Sequence, residues 1–130
     1  MRVNYHQISI EAVSEKLRAA LTGMSDVKIA VLFGSALTRN SVRDLDVGIF
    51  MDGEPNLERV IEIASTLEDS TGIPVDIVPL NKAPPKLRLK ALSKGVKLVV
   101  KDNNLYALLL SEALSEAMDV DLKLSPVKRR

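Results

Sequence analysis

The chain has 130 residues, 46% of them hydrophobic and 27% charged, which suits one self-sufficient globular domain and excludes a collagen, a coiled-coil rod or a disordered segment. Its 18 basic and 17 acidic residues leave a formal charge of +1, which excludes a global field for gripping nucleic acid or an anionic membrane. Cysteine is absent and histidine occurs once, which excludes disulfides, cysteine nucleophiles, thiolate metal sites and a His-rich metal cage.

In chain order, Ile10, Val13, Leu17, Ala20 and Leu21 recur at helical spacing and predict a helix over 8–22, ended by Gly23. The β-branched, apolar run Val27 to Phe33 predicts a buried strand cut off by Gly34-Ser35. Residues 36–43 are polar and irregular, with room for a helical turn. They lead into a strand over 44–51, in which Leu45, Val47, Ile49 and Met51 take one face while Asp44 and Asp46 share the other. After the turn at Asp52-Gly53, Leu57, Val60, Ile61, Ala64 and Leu67 predict an amphipathic helix over 56–71 that stops at Gly72. A short strand over 74–79 carries Asp76. A helix over 84–94 stopped by Gly95, a strand over 96–100 and a last helix over 105–118 complete the core at 8–118, with 119–130 expected as a flexible tail. The fold class is α+β, a mixed sheet of about four strands covered by helices, in a single domain spanning 1–130. No apolar run approaches the ~20 residues of a membrane span, and the start is too polar for a signal sequence, so the expected address is the cytoplasm and no membrane partner is expected.

Three carboxylates do not belong to a core. Asp44, Asp46 and Asp76 lie within or at the start of predicted strands, where aspartate is disfavoured and an unpaired buried charge is costly. Side chains two apart on a strand point the same way, so Asp44 and Asp46 repel unless a cation lies between them. Oxygen ligands without Cys or His select Mg²⁺ or Mn²⁺, with substrate phosphates and water completing the shell. If the strand bearing Asp76 lies beside the Asp44–Met51 strand, Asp76 is the third acid, able to bind a metal or to accept a proton from an attacking hydroxyl. At the other half of such a site, Gly34 admits a close phosphate and Ser35 offers a hydroxyl. Phosphate and metal meeting at one sheet edge suit displacement at phosphorus.

These residues carry a resemblance. Val31-Leu32-Phe33-Gly34-Ser35 followed by Arg43-Asp44-Leu45-Asp46-Val47 resembles the Gly-Ser…Asp-x-Asp signature of the DNA polymerase β-like nucleotidyltransferase superfamily, in particular its minimal nucleotidyltransferase branch. The branch consists of small prokaryotic proteins often paired with HEPN-domain toxins. The resemblance spans about 8–118 and implies a palm-like fold and transfer of a nucleoside monophosphate, AMP from ATP, with release of pyrophosphate. It implies Gly34 and Ser35 as triphosphate contacts, Asp44, Asp46 and Asp76 as catalytic metal-binding acids, and a HEPN toxin as partner, modified on a hydroxyl by this chain acting as antitoxin. Many members carry an Arg directly after Gly-Ser; here Ala36 stands, and Arg39 or Arg43 is the expected substitute at the nucleotide. The loop 36–43 is shorter than the family commonly has, which motivates the alternative of a non-catalytic module that silences its partner by occlusion.

Three further features have plainer readings. Residues 81–101 hold seven basic residues and no acid, expected as a solvated face, with an acidic partner, RNA or the outer phosphates of a nucleotide as sharper alternatives. No aromatic residue interleaves them, which argues against nucleic acid stacking there. His6 is expected at the surface, and Leu105, Leu108, Leu109, Ala113 and Ala117 as a core face.

Overall fold

A computed structural model of the protein describes residues 4–124. The elements in chain order are β1 (His6–Gln7), α1 (Ile10–Thr22), β2 (Val27–Phe33), a single 3₁₀ turn (Gly34–Leu37), β3 (Ser41–Val42), β4 (Leu45–Met51), α2 (Leu57–Thr71), β5 (Val75–Pro79), α3 (Pro85–Lys94), β6 (Val96–Val100) and α4 (Asn103–Leu124). The main sheet has the order β5-β4-β2-β6. β2 runs antiparallel to both of its neighbours, and β5 runs parallel to β4. The expected α+β class and mixed four-stranded sheet are therefore what the chain forms.

The central position of β2 explains its unbroken apolar run, because it is paired on both sides and covered on both faces. On one face Leu32, Val47 and Ile49 pack with Val13, Leu17 and Leu21 of α1 and Ile63 and Leu67 of α2. On the other, Ile29, Val31 and Phe33 pack with Ala91 and Leu92 of α3 and Tyr106, Leu109 and Ala113 of α4. Each of these residues is largely withdrawn from water, and each Val, Leu, Ile or Phe among them stabilises the fold by about 1.5–3 kcal/mol.

Helix ends fall where side chains cap them. Ser9 Oγ accepts from Ala12 N–H at 3.3 Å, so α1 starts at Ile10 rather than Ile8, whose own N–H donates to the Asn40 carbonyl at 2.8 Å. Asn56 Oδ1 likewise accepts from Arg59 N–H at 3.1 Å, and Gly72 closes α2 with a φ of 73° that a residue with a side chain adopts only under strain. Asp102 Oδ1 accepts from Leu105 N–H at 3.1 Å, so α4 begins before the expected 105. It also continues through Leu124, past the expected 118, which puts 119–124 in a helix rather than a flexible tail; 125–130 lie outside the described residues. Its core face is corrected too, since Leu108 is 55% exposed and Tyr106 takes its place in the core. Tyr106, Leu109 and Ala113 join the strand residues in the core, and Ala117 is buried on the same helix.

Two features had no clear sequence signal. β1 and β3, of two residues each, form an antiparallel ribbon that ties His6 to Val42, so His6 lies half-buried in a strand. Arg18 reaches from α1 to the edge strand β6, donating to the carbonyls of Leu98 and Lys97 at 3.1 and 3.0 Å. Among the described residues no helix is long and apolar enough to cross a membrane.

Candidate active site

The site begins where β2 ends. Gly34 takes a φ of 81°, in the left-handed region open to glycine, and the chain bends into the 3₁₀ turn. Phe33 stands opposite Asp46 in the antiparallel register, which lays the Asp46 carboxylate against the Gly34 backbone. A Cβ built on Gly34 would overlap Asp46 Oδ2 and stand 3.2 Å from Asp46 Cβ. Both the backbone angle and the space therefore require glycine at this bend.

The acids meet because β5 runs parallel to β4. Asp46 and Asp76 are register partners, so their side chains leave the same face of the sheet, and Asp44 lies two residues before Asp46 at the entrance to β4. Asp44 and Asp46 are half-buried, and Asp76 on the edge strand is exposed. Burial pushes the Asp46 carboxyl above its ordinary pKa, the charges of Asp44 and Asp76 push it further, and the Lys90 ammonium pulls it partly back. Asp44 and Asp76 thus both act on Asp46 at the head of the sheet. Among the described residues none of the three makes a hydrogen bond or ion pair, so the accumulated negative charge has no partner but Lys90.

As placed, no three acidic or imidazole side chains among the described residues close around a common point tightly enough to hold a metal ion by themselves. The donor set is still that of a hard cation sharing its shell with a ligand: the carboxylate oxygens of half-buried Asp46, which lines an open cleft, of half-buried Asp44, and of exposed Asp76, its register partner on β5. Mg²⁺ usually takes one or two carboxylates and fills its octahedron with phosphate oxygens and water, so these residues fit it.

That cleft has a volume of about 520 Å³. It is lined by Gly34, Ser35, Thr38 and Arg39 from the turn and the residues after it, by Phe33 and Asp46 from the sheet, and by Lys90 and Lys94 from α3. Of the two arginines expected at the nucleotide, Arg39 lines the cleft, whereas Arg43 is exposed beside Asp44 and does not. Lys90 and Lys94 were visible in the sequence only as members of the acid-free basic run. The structure breaks that run up. Lys82 pairs with Glu54 at 3.1 Å, Arg88 pairs with Glu116, Lys97 lies over the Tyr106 ring at 4.5 Å and Lys101 Nζ donates to the Met24 carbonyl at 2.7 Å. A continuous basic face for RNA is not what the fold presents.

Comparison with known proteins agrees with this architecture. The family described as polymerase beta, nucleotidyltransferase matches residues 15–104. No curated protein matches the chain significantly. Among solved structures, the chain is similar to one of the toxin–antitoxin MntA-HepT, at 18% identity and a TM-score of 0.71, covering 87% of this chain and 91% of that one. It is also similar to an MNT antitoxin in complex with a tri-AMPylated Shewanella oneidensis HEPN toxin, at 18% identity and a TM-score of 0.73, covering 88% and 92% of the two chains. A toxin–antitoxin structure with AMP-PNP matches at 21% identity and a TM-score of 0.71, covering 85% and 90%. At these identities the likeness is one of fold.

Proposed function

The chain belongs to the polymerase β nucleotidyltransferase family, and from that premise we propose that it is a Mg²⁺-dependent enzyme moving AMP from ATP to a hydroxyl on a HEPN-domain partner, which it thereby silences as an antitoxin. The observation that carries this reading is the meeting of the Gly34-Ser35 bend with Asp46 in one cleft, flanked by Asp44 and Asp76. The similar antitoxins solved with an AMPylated HEPN toxin and with AMP-PNP support the choice of partner and nucleotide.

In this reading Gly34 gives the triphosphate close access to backbone and Ser35 donates its hydroxyl to a phosphate oxygen. Arg39 adds positive charge from the end of the same turn. Asp44 and Asp46 hold Mg²⁺, with Asp76 as the third acid. When bound, Mg²⁺ supplies charge stabilisation at the reacting phosphate and lowers the repulsion among the carboxylates. The acceptor oxygen attacks the α-phosphorus, its proton passes to Asp76, and the bond from the α-phosphorus to the bridging oxygen breaks so that pyrophosphate leaves with the electron pair. The partner completes the site by presenting its hydroxyl at the open cleft.

The test is incubation of the chain with labelled ATP, Mg²⁺ and its HEPN partner. Label on the partner that disappears in Asp44→Asn plus Asp46→Asn supports the enzyme. Label that survives that double variant excludes the mechanism, and silencing of the partner without ATP or Mg²⁺ favours occlusion instead.

A further inference from the structure

The cleft has two electrostatic poles, and only one of them is used by the reading above. Asp46 lines the cleft, with the charges of Asp44 and Asp76 acting on it from outside the lining, and Lys90 and Lys94 of α3 line the cleft too. The two lysines are four apart on a helix, so their side chains lie one above the other on a single face, about 5–6 Å apart at Cβ. Among the described residues neither makes a hydrogen bond or an ion pair, unlike Lys82 and Arg88 of the same run. The end of the helix packs closely on β2. Gly95 N–H donates to the Ala91 carbonyl at 2.9 Å, and a Cβ on Gly95 would stand 3.1 Å from both the Leu32 carbonyl oxygen and Val31 Cβ. Close packing of Gly95 on β2 therefore brings the last turn of α3, with Lys94, beside the strand end from which Gly34 and Ser35 emerge.

We propose that Lys90 and Lys94 form a polyphosphate-binding pole, which holds the β- and γ-phosphates of the incoming nucleotide, while Asp44 and Asp46 would hold the cation that offsets the charge of its α-phosphate. The inference rests on the cleft being the nucleotide site and adds the residues that select a triphosphate over a monophosphate. An anion of this charge needs cations close to its tail, and on the side of the turn the lining offers Arg39 alone, so Lys90 and Lys94 supply the rest. As the bond to the α-phosphorus breaks, charge accumulates on the departing pyrophosphate, where two ammonium groups offset it without taking part in bond making. A role confined to the protein itself is the competing account for Lys94, because a lysine in the last turn of a helix complements its dipole.

Binding of ATP, inorganic tripolyphosphate and AMP to the full chain, measured calorimetrically with Mg²⁺ present, separates the two. In Lys90→Gln plus Lys94→Gln, ATP and tripolyphosphate are expected to weaken by about tenfold or more while AMP changes by less than about twofold. Lys90→Arg plus Lys94→Arg should keep most of the affinity for tripolyphosphate. Equal binding of ATP by the Gln variant and the wild type overturns the inference and leaves the transferase reading standing. Loss of tripolyphosphate binding in the Gln variant of a chain that transfers no label supports the cationic, polyphosphate-binding pole and removes the transferase.

Discussion

The two ends of the central sheet treat the same residue type in opposite ways. At the entry to β2, Asp26 receives two hydrogen bonds from Arg59, at 2.7 and 2.9 Å, and Arg59 also reaches Glu62 at 3.1 Å. The Arg59 guanidinium holds the Asp26 carboxyl below the usual carboxylate range. At the exit from β2, Asp46 has no such partner, and burial together with Asp44 and Asp76 pushes its carboxyl above that range. Several acids gather at the first end too, where Asp52, Glu54 and Glu58 join Asp26 around a cleft of about 310 Å³, but there Arg59 takes part. An acid whose charge the fold has already met contributes to holding the chain together. One left unmet costs stability and stays available to a ligand, a contrast that marks functional sites generally.

The largest test of that contrast is on transfer. Asp46→Asn should lower the rate of AMP transfer by about a hundredfold or more, whereas Asp26→Asn should change it by less than about twofold, both read as labelled partner formed per minute. Comparable losses from the two variants would abolish the distinction. Gly34→Ala comes next, because it places a side chain at a φ of 81° and on top of the Asp46 carboxylate. It should destabilise the chain by about 1–3 kcal/mol in urea titration and remove transfer as well.

Smaller effects separate the ends by pH. Asp26 has a depressed pKa in the folded state, so its contribution is present above the ordinary carboxylate value and is lost as the pH falls through the lower folded value. Arg59 and Asp26 are each about a third exposed, so water screens the pair and Asp26→Asn should cost about 1 kcal/mol or less at neutral pH. The gap between variant and wild-type Tm should close in strong acid. Asp46 carries the opposite sign, since its raised pKa means that the folded state disfavours the charged form. Without Mg²⁺ and nucleotide, Asp46→Asn should therefore raise Tm slightly at neutral pH, and a fall would show that its charge is met by a partner in the fold.

Much of this was legible along the chain. The strands 27–33 and 96–100 appear with the expected bounds because an apolar run closed by Gly34-Ser35 or opened by Gly95 leaves little choice of local structure. The face shared by Asp44 and Asp46 follows from strand alternation, and the Gly-Ser bend follows from glycine's conformational freedom. The β1–β3 ribbon was not legible, since two residues per strand leave no periodicity to detect. Nor was the β-bridge mimic made by Asn81, whose side chain accepts from Met51 N–H at 3.0 Å and donates to the Met51 carbonyl at 3.1 Å across 30 positions.

By itself the sequence determined the kind and order of the main elements, the bend, and which acids stand on or at the start of the strands, because each depends on neighbours a few residues apart. Tertiary structure alone decided that β5 lies parallel to β4, so that Asp76 stands beside Asp46, and that α3 rather than Arg43 faces the cleft. Those outcomes depend on strand order and on how each crossover packs over the sheet. They are set by the burial of two whole faces, which no local pattern in the chain contains.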